Sequence, residues 1–576
     1  MRKTVAEQLV NTLADAGVRR VYGIVGDSLN PVTDAIRRSE TVDWIHVRNE
    51  EAGAFAAGAD AELTGKLAVC AGSCGPGNLH LINGLFDAHR NMAPVLAIAA
   101  QIPTSEIGTG YFQETHPTEL FRECSHYCEL VSHPRQFPRV LQTAMQHAIT
   151  RRGVSVVVLP GDVAGMEMPS DVFTNGAFDA VPVVRPADAD LARLAELLNS
   201  ARTVTLFCGI GCAGAHDEVL ALAEKLKAPV GYSLRGKQWI EHDNPYGVGM
   251  TGLLGWGAAY DAMHACDVLL LLGTDFPYDA FMPTSPRIAQ IDVRAERLGR
   301  RSKLDLGLCG DVRDTIAALL PLVEAKPDDT FLKTTRERHE HARRKLQRYV
   351  EHVGTRRPIH PEHVAATLDE LASDDAVFTI DTGMCSVWGA RYLHATKDRR
   401  LVGSFNHGSM ANALPQAIGA QVAYPNRQVI TLSGDGGLAM LMGELLTLKQ
   451  HELPVKIVCF NNHTLGMVQL EMEVAGYPHH ATELENPNFA ALADAVGLTG
   501  VRVEDPAEVR PALERVLACK GPALLDVVTD PNVLAIPPKA TIAEAKGFAL
   551  AMTKMMFAGE LDDVTGTVMS NWRMLP

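Results

Sequence analysis

The sequence predicts an α/β protein made of three doubly wound parallel-sheet domains, followed by a short C-terminal tail. Short apolar runs suited to buried strands recur along the chain and alternate with helix-period segments, the pattern of parallel sheets covered on both faces. At 576 residues the chain is too long for one core and fits three domains of ordinary size. Proline-bearing stretches over 160–186, at Pro358 and Pro361, and at Pro537-Pro538 mark the joints. The expected boundaries are 1–182, 183–335 and 336–530, with the tail over 531–576.

In the first block, residues 4–16 carry a helix pattern, 21–25 a strand, 51–63 an alanine-rich helix, and 67–71, 95–100 and 154–159 buried strands. In the second, 203–208, 268–272 and 288–291 read as strands, and a charged helix over 330–353 leads into the third. There an apolar run over 429–433 precedes Gly434-Asp435-Gly436-Gly437. A helix-like stretch follows over 438–450, and a second apolar run over 455–460 ends at Asn461-Asn462. This is a βαβ unit with polar oxygens at both strand ends, where open parallel sheets gather their ligands. Glycine lets a backbone approach a phosphate closely. A carboxylate with an amide oxygen suits Mg²⁺, which keeps further positions for water and phosphate oxygens. The spacing therefore predicts a magnesium–diphosphate site built from Asp435 and Asn462.

Composition narrows the remaining choices. With 53 basic and 68 acidic residues the formal charge is −15, and no Lys/Arg block stands out, which argues against a nucleic-acid surface. Eleven cysteines, an odd number spread through apolar stretches, read as reduced cytosolic thiols. The pairs Cys70/Cys74, Cys124/Cys128 and Cys208/Cys212 share one spacing, yet no histidine completes a metal set, so they read as small buried residues. The N-terminal residues hold no signal-type apolar region, and no run of about 18 apolar residues predicts a membrane span. A second glycine-rich turn, Gly209-Ile210-Gly211-Cys212-Ala213-Gly214, fits G-x-G-x-x-G after a strand. The acid expected about 20 residues later for NAD is missing, since 229–235 holds no Asp or Glu, and NAD is disfavoured.

The Gly-Asp-Gly…Asn-Asn pattern resembles the fingerprint of thiamine diphosphate enzymes. The three-block order resembles the pyruvate oxidase and acetolactate synthase superfamily, in which a pyrimidine-binding, a central and a diphosphate-binding domain follow one another. Within it the chain is similar to the quinone-linked pyruvate dehydrogenases over nearly its whole length, most densely over 70–94, 105–130, 403–416 and Ala545-Lys546-Gly547-Phe548.

The resemblance assigns roles to particular residues. Glu50, in Arg48-Asn49-Glu50-Glu51-Ala52, would hydrogen-bond the aminopyrimidine ring and assist deprotonation of the thiazolium. Asn49 stands where many relatives carry histidine, and Glu51 reads as a helix N-terminal acid. Met410 would be the apolar wedge holding the two thiamine rings in a V, with Gly408 and Ser409 beside the cofactor; His407 reads as an acid or base or as a structural histidine. Asp435, Asn462 and the Thr464 carbonyl would hold Mg²⁺, with Gly436, Gly437, His463, Leu465, Gly466 and Met467 against the cofactor. Close relatives can carry an aromatic near Met467. Phe112 would shape the substrate pocket and Gln113 would reach the cofactor. FAD would be held by Gly209, Gly211, Thr251-Gly252-Leu253-Leu254, Gly273-Thr274-Asp275-Phe276-Pro277-Tyr278, Gln290-Ile291-Asp292 and Asp311.

The activity so implied is oxidation of pyruvate to acetate and CO₂, with electrons passing through FAD to ubiquinone, in a homotetramer. A phosphate-dependent pyruvate oxidase and an acetolactate synthase are the alternatives; intact Glu50, Asp435 and Asn462 argue against a non-catalytic cofactor-binding subunit. In the tail, Phe548, Met552, Met555 and Met556 recur on one helix face with Lys546 and Lys554 off it, and Trp572 with Arg573 suits an interfacial anchor. A helix packed on its own protein is the rival reading. The resemblance implies a lipid-binding, autoinhibitory tail on a cytoplasmic protein that associates reversibly with the inner face of the cell membrane.

Overall fold

The first block builds a sheet whose inner strands are buried on both faces, as continuous apolar runs require, and whose two edge strands are partly exposed. Its strands are β1 (Arg20–Gly23), β2 (Asp43–His46), β3 (Ala68–Gly72), β4 (Val95–Gln101), β5 (Tyr127–Leu130) and β6 (Val154–Pro160). All pairings are parallel, in the order β2-β1-β3-β4-β6-β5. This is a computed structural model, and it describes residues 3–172, 176–178 and 180–533, with residues 550, 552, 554, 555, 565, 567 and 570 of the tail.

The central sheet comprises β7 (Val204–Cys208), β8 (Val230–Tyr232), β9 (Gly247–Met250), β10 (Trp256–Gly257), β11 (Val268–Leu272), β12 (Arg287–Asp292) and β13 (Leu306–Cys309). It runs β10-β9-β8-β7-β11-β12-β13, and its one antiparallel pairing is the β9–β10 edge. The third sheet comprises β14 (Val377–Ile380), β15 (Arg400–Gly403), β16 (Val429–Gly434), β17 (Lys456–Asn461), β18 (Thr499–Val503) and β19 (Ala523–Val528). It is wholly parallel in the order β15-β14-β16-β17-β19-β18, so it repeats the connectivity of the first sheet strand for strand. The expected α/β class with three parallel sheets is what the chain adopts.

Each sheet has a point where the strand order reverses: between β1 and β3, between β7 and β11, and between β14 and β16. Ligands of open α/β sheets bind at the carboxyl ends of such strands. Asp435 follows β16 and Gly209 follows β7, so both glycine-rich turns lie at a reversal.

The first and third blocks share one apolar core. Helix Glu50–Thr64 of the first packs against helix Ala413–Ala423 of the third so closely that a Cβ at Gly419 would overlap the Ala56 carbonyl. The expected helix over 438–450 is broken. It divides into Asp435–Met440, a turn at Met442–Glu444, and Leu445–Gln450. The break turns the buried Glu444 toward the first block, where its Oε1 accepts from the backbone N–H groups of Arg48 (2.9 Å) and Asn49 (3.0 Å). Tertiary hydrogen bonding thus overrides a continuous helical pattern.

No helix among the described residues is long and apolar enough to cross a membrane. Within the tail, Met552 and Met555 are buried and Lys554 donates to the Gly476 carbonyl at 2.7 Å. Ser570 donates to Asp530 Oδ2 at 2.7 Å. Phe548, Met556, Trp572 and Arg573 lie outside the described residues.

Candidate active site

The carboxyl end of β16 delivers Asp435 to the first turn of a short helix, and β17 ends at Asn461, next to Asn462. Asp435 is buried. Its Oδ2 accepts from the His463 N–H and from Asn486 Nδ2, each at 2.7 Å, and its Oδ1 from the Gly436 N–H at 2.9 Å. Burial pushes its carboxyl above the ordinary range, against these donors. Asn486 is itself held by Asn461 Oδ1 (3.0 Å), whose amide donates to the buried Asp526 (2.9 Å). His463 sits at φ +57°, which turns its N–H back onto Asp435. Asn462 Oδ1 meets only the Thr464 N–H, at 3.3 Å, among the described residues, and Thr464 is buried with its hydroxyl on Gln469. A Cβ on Gly436 would lie 3.0 Å from Leu465 and 3.3 Å from Met410, which puts that methionine over the glycine turn. At Gly437 a Cβ would overlap the carboxylate of Asp381, a buried acid just after β14. Gly466 opens helix Gly466–Val474, and Met467 packs partly buried against the core of the third block.

Glu50 is the first residue of its helix, whose N-cap Asn49 accepts from the Glu51 N–H. It is buried, its Oε2 lies 2.9 Å from His80 Nδ1, and a Cβ on Gly77 would come within 2.9 Å of its Oε1. Gln113, at φ +62°, packs on Gly75 at the head of helix Pro76–Arg90 and accepts from Cys74 Sγ at 3.4 Å. Phe112 stands out into solvent, 78% exposed. Glu50 and Gln113 therefore flank the same helix end. Among the described residues, no hydrogen bond or ion pair joins Glu50, His80 or Gln113 to Asp435, Asn462 or His463.

His407 is half-buried, stacked on Phe86 with ring centres 5.6 Å apart, and its Nε2 lies 2.9 Å from Asn83 Oδ1. Burial holds its pKa below the usual histidine value. Ser409 hydrogen-bonds the Met410 carbonyl, and Gly408 adopts φ +76°.

In the central sheet every residue expected against FAD follows the carboxyl end of a strand or closes it. Gly209 and Gly211 press on Gly273 and Thr274: a Cβ on Gly211 would lie 2.6 Å from the Gly273 Cα, so these glycines let two loops touch at the β7–β11 reversal. Thr251, Gly252 and Thr274 are buried, Leu253 is exposed, and Leu254 packs between the central and third cores. Phe276 is a core residue, edge-on to Phe207 and Tyr278. Asp275 pairs with Arg300 and Arg301, and Pro277 and Tyr278 are exposed. Gln290 ties Thr274 to Gly299, Asp292 is buried on the Arg294 N–H, and Asp311 caps helix Val312–Leu319.

Sequence reasoning missed His80, Asn486 and Glu444. His80 lies three residues beyond Gly77 in a stretch already singled out, so its place on the helix face was available. Asn486 lies in an irregular loop between helices and gave no signal.

Three family models of thiamine pyrophosphate enzymes match in succession: the N-terminal TPP binding domain over 3–120, the central domain over 191–319 and the C-terminal TPP binding domain over 381–527. A putative thiamine pyrophosphate-containing protein of Bacillus subtilis (strain 168) is 34% identical, with 97% of each chain covered. The pyruvate oxidase of Lactiplantibacillus plantarum is 31% identical over 90% of this chain and 87% of its own. A probable acetolactate synthase large subunit of Methanocaldococcus jannaschii is also 31% identical, over 91% of this chain and 92% of its own. The chain belongs to the thiamine diphosphate-dependent superfamily of pyruvate oxidases and acetolactate synthases.

Proposed function

We propose that this protein oxidises pyruvate to acetate and CO₂, using thiamine diphosphate, Mg²⁺ and FAD, and hands the electrons to ubiquinone at a membrane surface. One observation carries the cofactor reading: Asp435 is buried at a sheet reversal with neutral N–H donors and, among the described residues, no positively charged partner in hydrogen-bond or ion-pair reach. A buried carboxylate without a countercharge is costly, and a divalent cation would offset that cost. Asp435, Asn462 and the Thr464 carbonyl would hold it. When bound, thiamine diphosphate supplies the nucleophilic carbon and the electron sink that decarboxylation of a 2-keto acid requires, and FAD a two-electron acceptor.

The residues of the chain orient and exchange protons. Glu50, kept from water by its burial and oriented by His80, holds a proton at Oε where the aminopyrimidine would lie. Met410, over the Gly436 turn, would pack against the rings of the cofactor as an apolar support. Gln113 faces the substrate side and Phe112 closes it once a second chain covers it. Glu50 and Asp435 would meet across a subunit interface within a homotetramer, a reading supported by the lack of a direct link between them and by the exposure of Phe112, Met440 and Tyr477. The quinone branch is supported by the amphipathic sequence pattern of the tail; the burial of Met552 and Met555 and the docking of Lys554 against Gly476 fit the rival reading, a helix packed on its own protein.

A second reading, acetolactate synthesis, draws on the acetolactate synthase relative, which is as identical as the pyruvate oxidase one. The test is anaerobic: pyruvate is added to the loaded enzyme while the flavin absorbance is followed, then a soluble quinone. Bleaching, reoxidation by quinone and release of acetate are expected. Acetolactate without bleaching sinks the oxidative reading, and reoxidation by O₂ alone with acetyl phosphate release sinks the quinone branch.

A further inference from the structure

Helix Pro76–Arg90 carries three polar side chains at positions 80, 83 and 87, a spacing that keeps them on one face. His80 meets Glu50. Asn83 donates to Ser409 Oγ (2.9 Å) and Glu51 (2.7 Å) and meets His407 Nε2 through its oxygen. Asp87, buried, accepts from the Ser404 hydroxyl (2.7 Å) and from Gln416 Nε2 (3.1 Å). Ser404 Oγ accepts in turn from the Ser409 N–H at 2.9 Å, so two of these side chains converge on Ser409, the residue before Met410. Gln416 passes the connection to Asn412, whose amide donates to the Ile380 carbonyl at the end of β14.

We propose that Asp87 and Asn83 are positioning residues that set where Met410 stands. The loop 404–410 is fixed from the first block: besides these grips, Asn406 donates to the Arg90 carbonyl at 3.2 Å and His407 stacks on Phe86, while Gly408 has an open left-handed backbone, so the shape of the loop depends on what helix Pro76–Arg90 holds. The two grips differ in chemistry. Asp87 accepts with both carboxyl oxygens and fixes a hydroxyl; Asn83 presents a donor to one loop residue and an acceptor to another. Together they hold the turn from both sides, and the same helix face carries the partner of Glu50. Within each chain the wedge of one site and the acid of the other therefore belong to one rigid frame. This rests on the role proposed above for Met410, but the placement of its side chain is measurable without catalysis.

The experiment is methyl NMR of the full-length protein loaded with thiamine diphosphate, Mg²⁺ and FAD, with ¹³C-methyl methionine, the Met410 signal being assigned by Met410→Leu. Asp87→Ala and Asn83→Ala should each move or double the Met410 methyl signal and lower kcat by about tenfold while KM for pyruvate changes less than about twofold. Asp87→Asn, which retains one acceptor, should restore part of both. Leu85→Ala on the same helix, buried but outside the network, should lower the thermal midpoint and leave the Met410 signal in place. If Asp87→Ala does not fold, the half-buried Asn83 decides. An unmoved Met410 signal in the variants, or an equal shift in Leu85→Ala, overturns the proposal. Moved methyls in a protein inert toward pyruvate would sink the activity reading and leave the positioning intact.

Discussion

Asp435 and Glu50 are both buried carboxyl groups, and their surroundings set them apart. Asp435 meets three N–H donors that fix both oxygens, the arrangement of a group held for coordination. Glu50 has one imidazole beside it, the arrangement of a group left free to share a proton. Glu50→Gln keeps the volume and removes the exchangeable charge, so turnover should fall by about 10²-fold or more with the fold intact; near-normal kcat would refute the role. Asn486 never touches the proposed metal in this reading, yet it fixes the ligand oxygen from behind. Residues behind a metal ligand commonly carry about 10- to 100-fold in affinity. Asn486→Ala should therefore weaken Mg²⁺ activation by about that factor at unchanged thermal stability, which a Mg²⁺ titration of apoenzyme reads directly. An unchanged half-saturation would mean that the two N–H groups alone orient Asp435.

At the scale of elements, the break between residues 440 and 445 shows how far local sequence reaches. The run over 438–450 has the apolar spacing of a single helix, and Gly443 is the one weak point within it. The cause lies far away in the chain, in the two N–H groups at Arg48 and Asn49 from which Glu444 accepts. Those groups open the helix that begins with Glu50, where backbone donors have no partner of their own. Glu444→Ala should leave both unsatisfied and destabilise the protein by about 2 kcal/mol, and kcat should fall with it because the helix carries Glu50. A denaturation midpoint unchanged from wild type would show that water replaces the carboxylate. The strands were legible for the opposite reason. Runs such as 95–100 and 154–159 are apolar on both faces, which leaves a parallel sheet covered on both sides as the consistent outcome. The glycine turns at 209 and 434 were legible as turns but not in their contacts: Gly211 serves a neighbouring loop, and Gly437 serves Asp381. The charged helix Thr330–Val353 begins and ends where its pattern does, since few of its residues are buried and propensity alone decides it.

The whole molecule is two blocks of identical connectivity pressed together through helices Glu50–Thr64 and Ala413–Ala423, with the central sheet attached beside them. Asp87 lies in that joint. Burial, with the repulsion of nearby Glu62, outweighs the donors on it and the pull of Arg235, and pushes its pKa up to about 7 from the ordinary 3.8. The folded chain therefore keeps a proton on Asp87 that the unfolded chain releases, throughout the range between those two values. The contribution of Asp87 to stability falls as pH rises through this window and levels off above it, because the folded state binds the extra proton. Acids held low by surface arginines, such as Asp34 and Asp171, act the other way at lower pH, and histidines held low by burial, such as His89 and His126, act the other way within the window, so the effect of Asp87 is read as a difference between two proteins. Asp87→Asn removes the titrating group while leaving an amide that can turn to suit Ser404 and Gln416. Denaturation midpoints of the loaded enzyme at about pH 5, 6, 7 and 8 should fall more, or rise less, with pH in the wild type than in Asp87→Asn. Parallel curves for the two proteins would mean that the carboxylate is already ionised at the acid end of that series, held by the Ser404 and Gln416 donors against the cost of its burial.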